Sequence, residues 1–170
     1  TCPNGVRLDT LDEELLSVMK ASGLYSISVG VESGSERILK DMRKNLTKDK
    51  IREKISLLRR AGIEVSGFFI VGYPTETKED IFETIAFAKS LDLKRVGFSA
   101  FKPFPGTEAT RLLIEKGEVN LNQEDWDKYV LSQIAYSPPG ISKEELKKLR
   151  RRALMSFYFR PRIILKFASE

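Results

Sequence analysis

From Tyr25 to Ser33 apolar and polar residues alternate without a break. Tyr25, Ile27, Val29 and Val31 point one way and Ser26, Ser28, Gly30 and Glu32 the other, which is the period of a β-strand with two unlike faces. Arg95–Phe101 repeats the split, with Val96, Phe98 and Ala100 against Gly97 and Ser99. Helical patterns separate these strands from two more, Val6–Leu8 and Ile63–Val71. Repeats of about 30–40 residues predict βαβ units and a parallel sheet. In a doubly wound sheet helices cover both faces, and strands read as unbroken apolar runs. A polar face predicts instead an α/β partial barrel, with helices outside and a ligand-facing interior. Four strands cannot close a barrel; they form an arc, roughly half of one.

The helices carry their own start and stop signals. Thr10 and Glu13 have capping-box spacing, Leu11, Leu15, Leu16 and Met19 share a face, and Gly23 ends the run. Ser35–Met42 predicts a short helix, and Thr47 caps a longer one with Ile51, Ile55 and Leu58 inward and Gly62 at its end. Gly72-Tyr73-Pro74 stops the third strand, and Thr77 opens a helix with Ile81, Ile85 and Ala88 inward. Thr107 caps a short one, Glu108–Lys116. Beyond Gly117 the pattern loosens. Glu124–Tyr129 holds the one Trp, and Ser137-Pro138-Pro139-Gly140 breaks the chain. Ser142 and Glu145 open a basic helix to Phe159, and Pro161 precedes an apolar end of Ile163, Ile164, Leu165 and Phe167. The predicted domains are a half-barrel over 1–117 and a helical basic extension over 118–170.

Composition removes whole classes of chemistry. The 170 residues include one Cys and no His. That excludes an internal disulfide framework, an all-Cys metal site built by these residues, and Ser-His or His-zinc mechanisms. No metal ligands and no catalytic residues are predicted within the chain. There is no apolar run of the ~20 residues that span a bilayer and no signal-peptide pattern, so no membrane is expected and the expected compartment is the cytoplasm. The net charge of +5 is uneven: residues 1–141 carry 20 basic and 21 acidic side chains, residues 142–170 carry 9 and 3. The basicity belongs to the tail, and the half-barrel is not a nucleic-acid binder by charge. The chain opens Thr1-Cys2-Pro3 without Met and reads as a piece of a longer protein.

Chemistry in a parallel barrel sits at the carboxyl ends of the strands. Four features fall there: Arg7 with Asp9, Glu32-Ser33-Gly34-Ser35, Gly72-Tyr73-Pro74-Thr75-Glu76-Thr77, and Lys102-Pro103-Phe104-Pro105-Gly106-Thr107. Glu32 is the most pointed, on the polar face just before a Gly turn. Its carboxylate can accept from an amine or a sugar diol, or pair with Arg7 as a buried structural ion pair. Gly67 and Gly72 admit close approach of a ligand, and Gly72 serves equally as a strand-to-helix turn. No Gly-Lys-Ser/Thr and no Gly-x-Gly-x-x-Gly phosphate loop occurs. Cys2 reads as a small apolar filler, having no His to activate it. Phe157, Tyr158 and Phe159 beside Arg150-Arg151-Arg152 have the composition of a nucleic-acid stacking surface, and at helical spacing the pattern of a core face opposite a charged one.

Taken in order, Val29-Gly30-Val31-Glu32-Ser33-Gly34-Ser35 with Ile38-Leu39, then Gly67-Phe68-Phe69-Ile70-Val71-Gly72-Tyr73-Pro74-Thr75-Glu76-Thr77, then Pro103-Phe104-Pro105-Gly106-Thr107 resemble the radical S-adenosylmethionine (SAM) superfamily. The nearest flavour is the cobalamin-associated branch that includes anaerobic magnesium-protoporphyrin monomethyl ester cyclases. The resemblance spans about residues 3–116, and Phe157-Tyr158-Phe159-Arg160-Pro161 resembles that branch's C-terminal extension. It implies a partial (β/α)₆ barrel of which these strands are the third to sixth. It also implies reductive SAM cleavage by a 4Fe–4S cluster to a 5′-deoxyadenosyl radical acting on a small-molecule substrate.

By the same resemblance Glu32, with Ser33 beside it, contacts the SAM ribose or amino group. Val71, Gly72 and Tyr73 lie near the adenine, and Arg7 meets the methionyl end of SAM or Glu32. The family's Cys-x-x-x-Cys-x-x-Cys is not met by Cys2 alone, so the cluster ligands are expected in a missing N-terminal half, without which the chain is inactive. The fifth-strand pattern Gly-x-Ile-x-Gly-x-x-Glu is met in part: Phe68 stands at a Gly position and Glu76 comes one residue late. Cobalamin is compatible with the full-length protein, and pairing of two half-barrels as a homo-oligomer is compatible with their open edges. Two alternatives remain. Leu39-Lys40-Asp41-Met42-Arg43-Lys44 also resembles the tRNA methylthiotransferases, and the basic tail fits a non-catalytic RNA- or protein-binding module.

Overall fold

The computed structural model describes residues 1–123, 126–130, 133–161 and 163. It contains β1 (Cys2–Val6), α1 (Glu13–Ala21), β2 (Ser26–Glu32), α2 (Glu36–Asp41), α3 (Lys48–Arg60), β3 (Glu64–Val71), α4 (Lys78–Ser90), β4 (Arg95–Ala100), α5 (Glu108–Glu115) and α6 (Lys143–Tyr158). The four strands are all parallel and lie in the order β1-β2-β3-β4. Neighbours in sequence are neighbours in space, without the reversal that marks a doubly wound sheet. This is an arc of barrel wall.

One face of the arc is dry. Ile27, Val29 and Val31 of β2 are at most 1% exposed. They join Val65, Phe69 and Val71 of β3, Val96 and Phe98 of β4, and the inward faces of α3, α4 and α6 in one core. Phe69 and Phe98 stack at 5.0 Å across β3 and β4. Each buried branched aliphatic or aromatic side chain contributes about 1.5–3 kcal/mol relative to exposure, so this single face drives the fold. Thr47, Thr77, Thr107 and Ser142 cap their helices as their spacing predicts, Thr77 in a reciprocal box with Asp80. The Tyr158 hydroxyl donates to the Val96 carbonyl at 3.0 Å and accepts from its N–H at 3.2 Å, so α6 ties down the outer strand β4.

Several local expectations change. The first strand is Cys2–Val6, not Val6–Leu8, because the chain turns into a short 3₁₀ segment at Leu8–Thr10 that buries Leu8 completely. Pro3 and Gly5 are tolerated because β1 is an edge strand. The α1 cap is Asp12, which accepts from the Leu15 N–H, while the Thr10 hydroxyl donates to the Arg7 carbonyl. Of the face read as inward, Leu11 and Leu16 are buried, whereas Leu15 is 41% exposed. Tyr25 precedes β2 and points to solvent. Of the apolar end, only Ile163 lies among the described residues, and it is buried; Glu124, Ile164, Leu165 and Phe167 lie outside them.

Candidate functional site

The other face of the arc is open, and at its carboxyl end lies a cavity of about 490 Å³. Gly30 and Glu32 of β2, Phe68 and Ile70 of β3, Ser99 of β4, Arg7 and Lys44 line it. Phe68, 40% exposed, forms an apolar wall, with its ring 3.0 Å from the place a Cβ would occupy on Gly97. A charged rim over an aromatic wall suits a zwitterion joined to a flat ring.

Glu32 reaches this cavity through its backbone. It ends β2 with φ +67°, a left-handed conformation rare outside glycine, and the β2–β3 register slips between Gly30 and Glu32. Such a conformation costs on the order of 1–3 kcal/mol and persists where the surroundings fix it. The slip lays the carboxylate back over Gly30, where any Cβ would stand 2.6 Å from Glu32 Oε1. The Lys44 ammonium, from the loop between α2 and α3, donates to Glu32 Oε1 at 2.8 Å. Both side chains are largely buried, at 29% and 16% exposure for Lys44 and Glu32.

Arg7 lines the same cavity but does not pair with Glu32. Its guanidinium forks onto Asp9, with Nε 3.0 Å from Oδ1 and Nη2 2.6 Å from Oδ2. The expected Arg7–Glu32 ion pair is therefore replaced by two others. The turn at Leu8–Thr10 brings Asp9 within reach of Arg7, and the bulge turns Glu32 toward Lys44. The hydrogen bond from Arg7 holds the Asp9 carboxyl below the ordinary carboxylate range. The Arg7 side chain is 63% exposed, so the Arg7–Asp9 pair lies at the rim of the cavity.

The remaining predicted residues lie at the same strand ends with their side chains elsewhere. Ser33 is fully buried, its hydroxyl 3.0 Å from that of Thr84 on α4. Val71 is fully buried in the core. Gly72 has φ +79°, and a Cβ there would stand 2.5 Å from Leu146 of α6, so its lack of a side chain serves helix packing. Tyr73 packs edge-on to Phe101 in a second cluster with Tyr136. The Gly72 and Tyr73 N–H groups both donate to Oε2 of Glu76, whose carboxyl is buried and pushed up to about 7, chiefly by desolvation. Cys2 is partly buried against the core. On the basic tail Phe157 is fully buried, with the Arg160 guanidinium 3.9 Å above its ring. Phe157 and Tyr158 are thus core-facing, whereas Phe159 is exposed.

Lys44 is the residue that sequence reasoning overlooked. It stands two residues beyond the C-cap of α2, within a stretch read only as a resemblance, and nothing in its spacing marks it as a partner of Glu32. Only the return of the chain over β2 brings them together.

The Radical SAM superfamily profile matches residues 1–88, just over half of the chain. The chain belongs to this superfamily. It is 32% identical over 160 residues to an uncharacterized methyltransferase of Pyrococcus horikoshii, covering 94% of this chain and 34% of that protein. It is 34% identical to a putative methylthiotransferase of Methanocaldococcus jannaschii, over 84% of this chain and 30% of the relative. To the anaerobic magnesium-protoporphyrin IX monomethyl ester cyclase of Cereibacter sphaeroides it is 33% identical, over 79% and 21%. The chain spans about a third or less of the length of these curated relatives. Among solved structures, the Kitasatospora setae methyltransferase TsrM with cobalamin and a 4Fe–4S cluster bound superposes with TM-score 0.62 at 19% identity, over 94% of this chain and 31% of that one. Escherichia coli coproporphyrinogen III oxidase, a radical SAM enzyme, gives TM-score 0.62 at 14% identity, over 92% and 31%. These likenesses establish the radical SAM (β/α) barrel fold.

The superfamily's general reaction is reductive cleavage of SAM at a 4Fe–4S cluster. The open face fits SAM in its donor set: a carboxylate for an ammonium or diol, two cations for a carboxylate, an aromatic wall and the bare backbone of Gly30. The cluster does not fit these residues. The sequence has one Cys, and among the described residues no three His, Cys, Asp or Glu side chains stand together as metal ligands. No helix among them is long and apolar enough to cross a membrane.

Proposed function

We propose that this chain is the C-terminal part of a radical SAM core and supplies the wall that holds SAM, with cluster ligands provided by residues outside these 170. Residues 1–117 are the barrel part and 118–170 an extension whose α6 braces β4. Glu32 takes the SAM ammonium or ribose diol, and Lys44 and Arg7 face the methionyl carboxylate. Bound SAM supplies the 5′-deoxyadenosyl group. The chain's own residues orient it. Val71, Gly72 and Tyr73 border the adenine through their backbone, and Ser33 acts by fixing the turn after Glu32. The observation that carries this is the strained, bulged placement of Glu32 at the mouth of the polar cavity, held by Lys44.

Alone, the chain is catalytically inactive. In the full protein it acts in the cytoplasm on a small molecule, and cobalamin is compatible with its fold. The relatives named methyltransferase and methylthiotransferase favour group transfer to the substrate. A second reading, modification of tRNA, follows the 38% identity over 89 residues to a tRNA-2-methylthio-N(6)-dimethylallyladenosine synthase of Thermotoga petrophila, which covers 49% of this chain and 19% of that protein. Calorimetric titration of SAM into the protein that carries both this chain and its cluster-bearing segment tests the proposal. Saturable binding lost in Glu32→Ala supports it; binding indifferent to Glu32 refutes it.

A further inference from the structure

Beside the SAM cavity, between α2 and α3, lies a second concavity of about 960 Å³. Its lining includes Arg37, Lys40, Arg43, Lys44 and Lys50, against one carboxylate, Glu36. Three of these cations have acidic partners: Arg37 with Asp80 and Asp41, Arg43 with Glu108, Lys44 with Glu32. Among the described residues the ammonium groups of Lys40 and Lys50 have none. Glu36 is itself engaged, accepting from the Lys48 N–H at 3.3 Å. The first turn of α3, capped by Thr47, adds its positive dipole end to the same space. Two unpaired ammoniums and a helix start thus face a concave surface, where field lines concentrate. Lys44 lines both concavities, so the two meet at its side chain.

We propose that this groove binds a phosphate group of the substrate, anchoring it through Lys40 and Lys50 so that the rest of the molecule extends past Lys44 toward SAM. The inference rests on the SAM reading for what the groove serves, but not for what it binds. Lys40 and Lys50 do not line the SAM cavity, so the two sites separate by mutation.

The test titrates inorganic pyrophosphate into the protein that carries both this chain and its cluster-bearing segment, at about 50 mM salt. Saturable binding is expected, weakened at least tenfold in the double variant Lys40→Gln, Lys50→Gln and retained when both become Arg. An unchanged melting temperature shows that the variants fold. SAM affinity is expected to stay the same in the double variant, and Glu32→Ala is expected to leave pyrophosphate binding intact. Pyrophosphate binding without any SAM binding would leave the groove standing and remove the SAM reading. No pyrophosphate binding, or binding indifferent to the two lysines, overturns the groove. A single-stranded RNA bound far more tightly than pyrophosphate, through the same lysines, overturns the small-substrate assignment in favour of nucleic acid.

Discussion

Lys44 and Glu32, twelve residues apart, meet at 2.8 Å on the mouth of the polar cavity, and each is the other's ion partner. The contact keeps a carboxylate and an ammonium apart from bulk water yet on a surface that a ligand reaches. The two charges satisfy each other, and in the proposed SAM complex each takes a complementary group of the ligand.

Glu32→Ala is expected to weaken SAM binding by about 1–3 kcal/mol, the usual cost of removing a charged hydrogen-bond partner. Lys44→Ala is expected to weaken it too, and the two losses to be non-additive because the residues touch. Calorimetry on the single and double variants measures the coupling. Strictly additive losses would show that the pair does not act as one unit.

Gly30→Ala probes the same carboxylate indirectly. The new methyl would stand 2.6 Å from Glu32 Oε1, inside van der Waals contact, so the side chain must leave its place. SAM affinity should fall about as far as in Glu32→Ala while the fold survives, since Gly30 sits on the open face. A variant that binds SAM normally would show that the observed position of Glu32 is not the binding one.

Glu76 gives the fold a pH dependence. Burial raises its carboxyl from 4.5 to about 7. Folding therefore favours the protonated form: this contribution is full below pH 4.5 and is lost as pH rises through about 7, for a difference of roughly 3 kcal/mol. Chemical denaturation across that range should show stability from this group falling with pH. Glu76→Gln keeps an acceptor for Gly72 and Tyr73 and should flatten the slope; an unchanged slope would assign it to other groups.

Phe157→Ala should destabilise the chain by about 3–5 kcal/mol, the range for emptying a fully buried aromatic site. It would also loosen α6 from β4, where Tyr158 holds Val96. A loss under about 1 kcal/mol in urea unfolding would show that α6 is dispensable to the core.

Much of this was legible in the residues because it rests on local rules. The alternation of β2, the Thr and Ser caps, and the inward faces of α3 and α4 follow from side-chain period and backbone hydrogen bonding within a few positions. The α1 start is ambiguous in the sequence because Asp12 competes with Thr10 for the cap, and the 3₁₀ turn at Leu8–Thr10 leaves the role to Asp12. Gly72 was ambiguous because its nearest neighbour in space, Leu146, is seventy-four positions away in sequence.

The sequence alone determined that four strands would be parallel, that one face would be polar, and that Glu32 would stand at the end of that face. Only the tertiary structure decided what Glu32 meets. A bulge, a left-handed backbone angle and a loop returning from α2 give it Lys44, while a tight turn gives Arg7 to Asp9. Strand and helix periods are set by neighbours along the chain. Charge partners are set by where loops return, and short-range chemistry does not encode that.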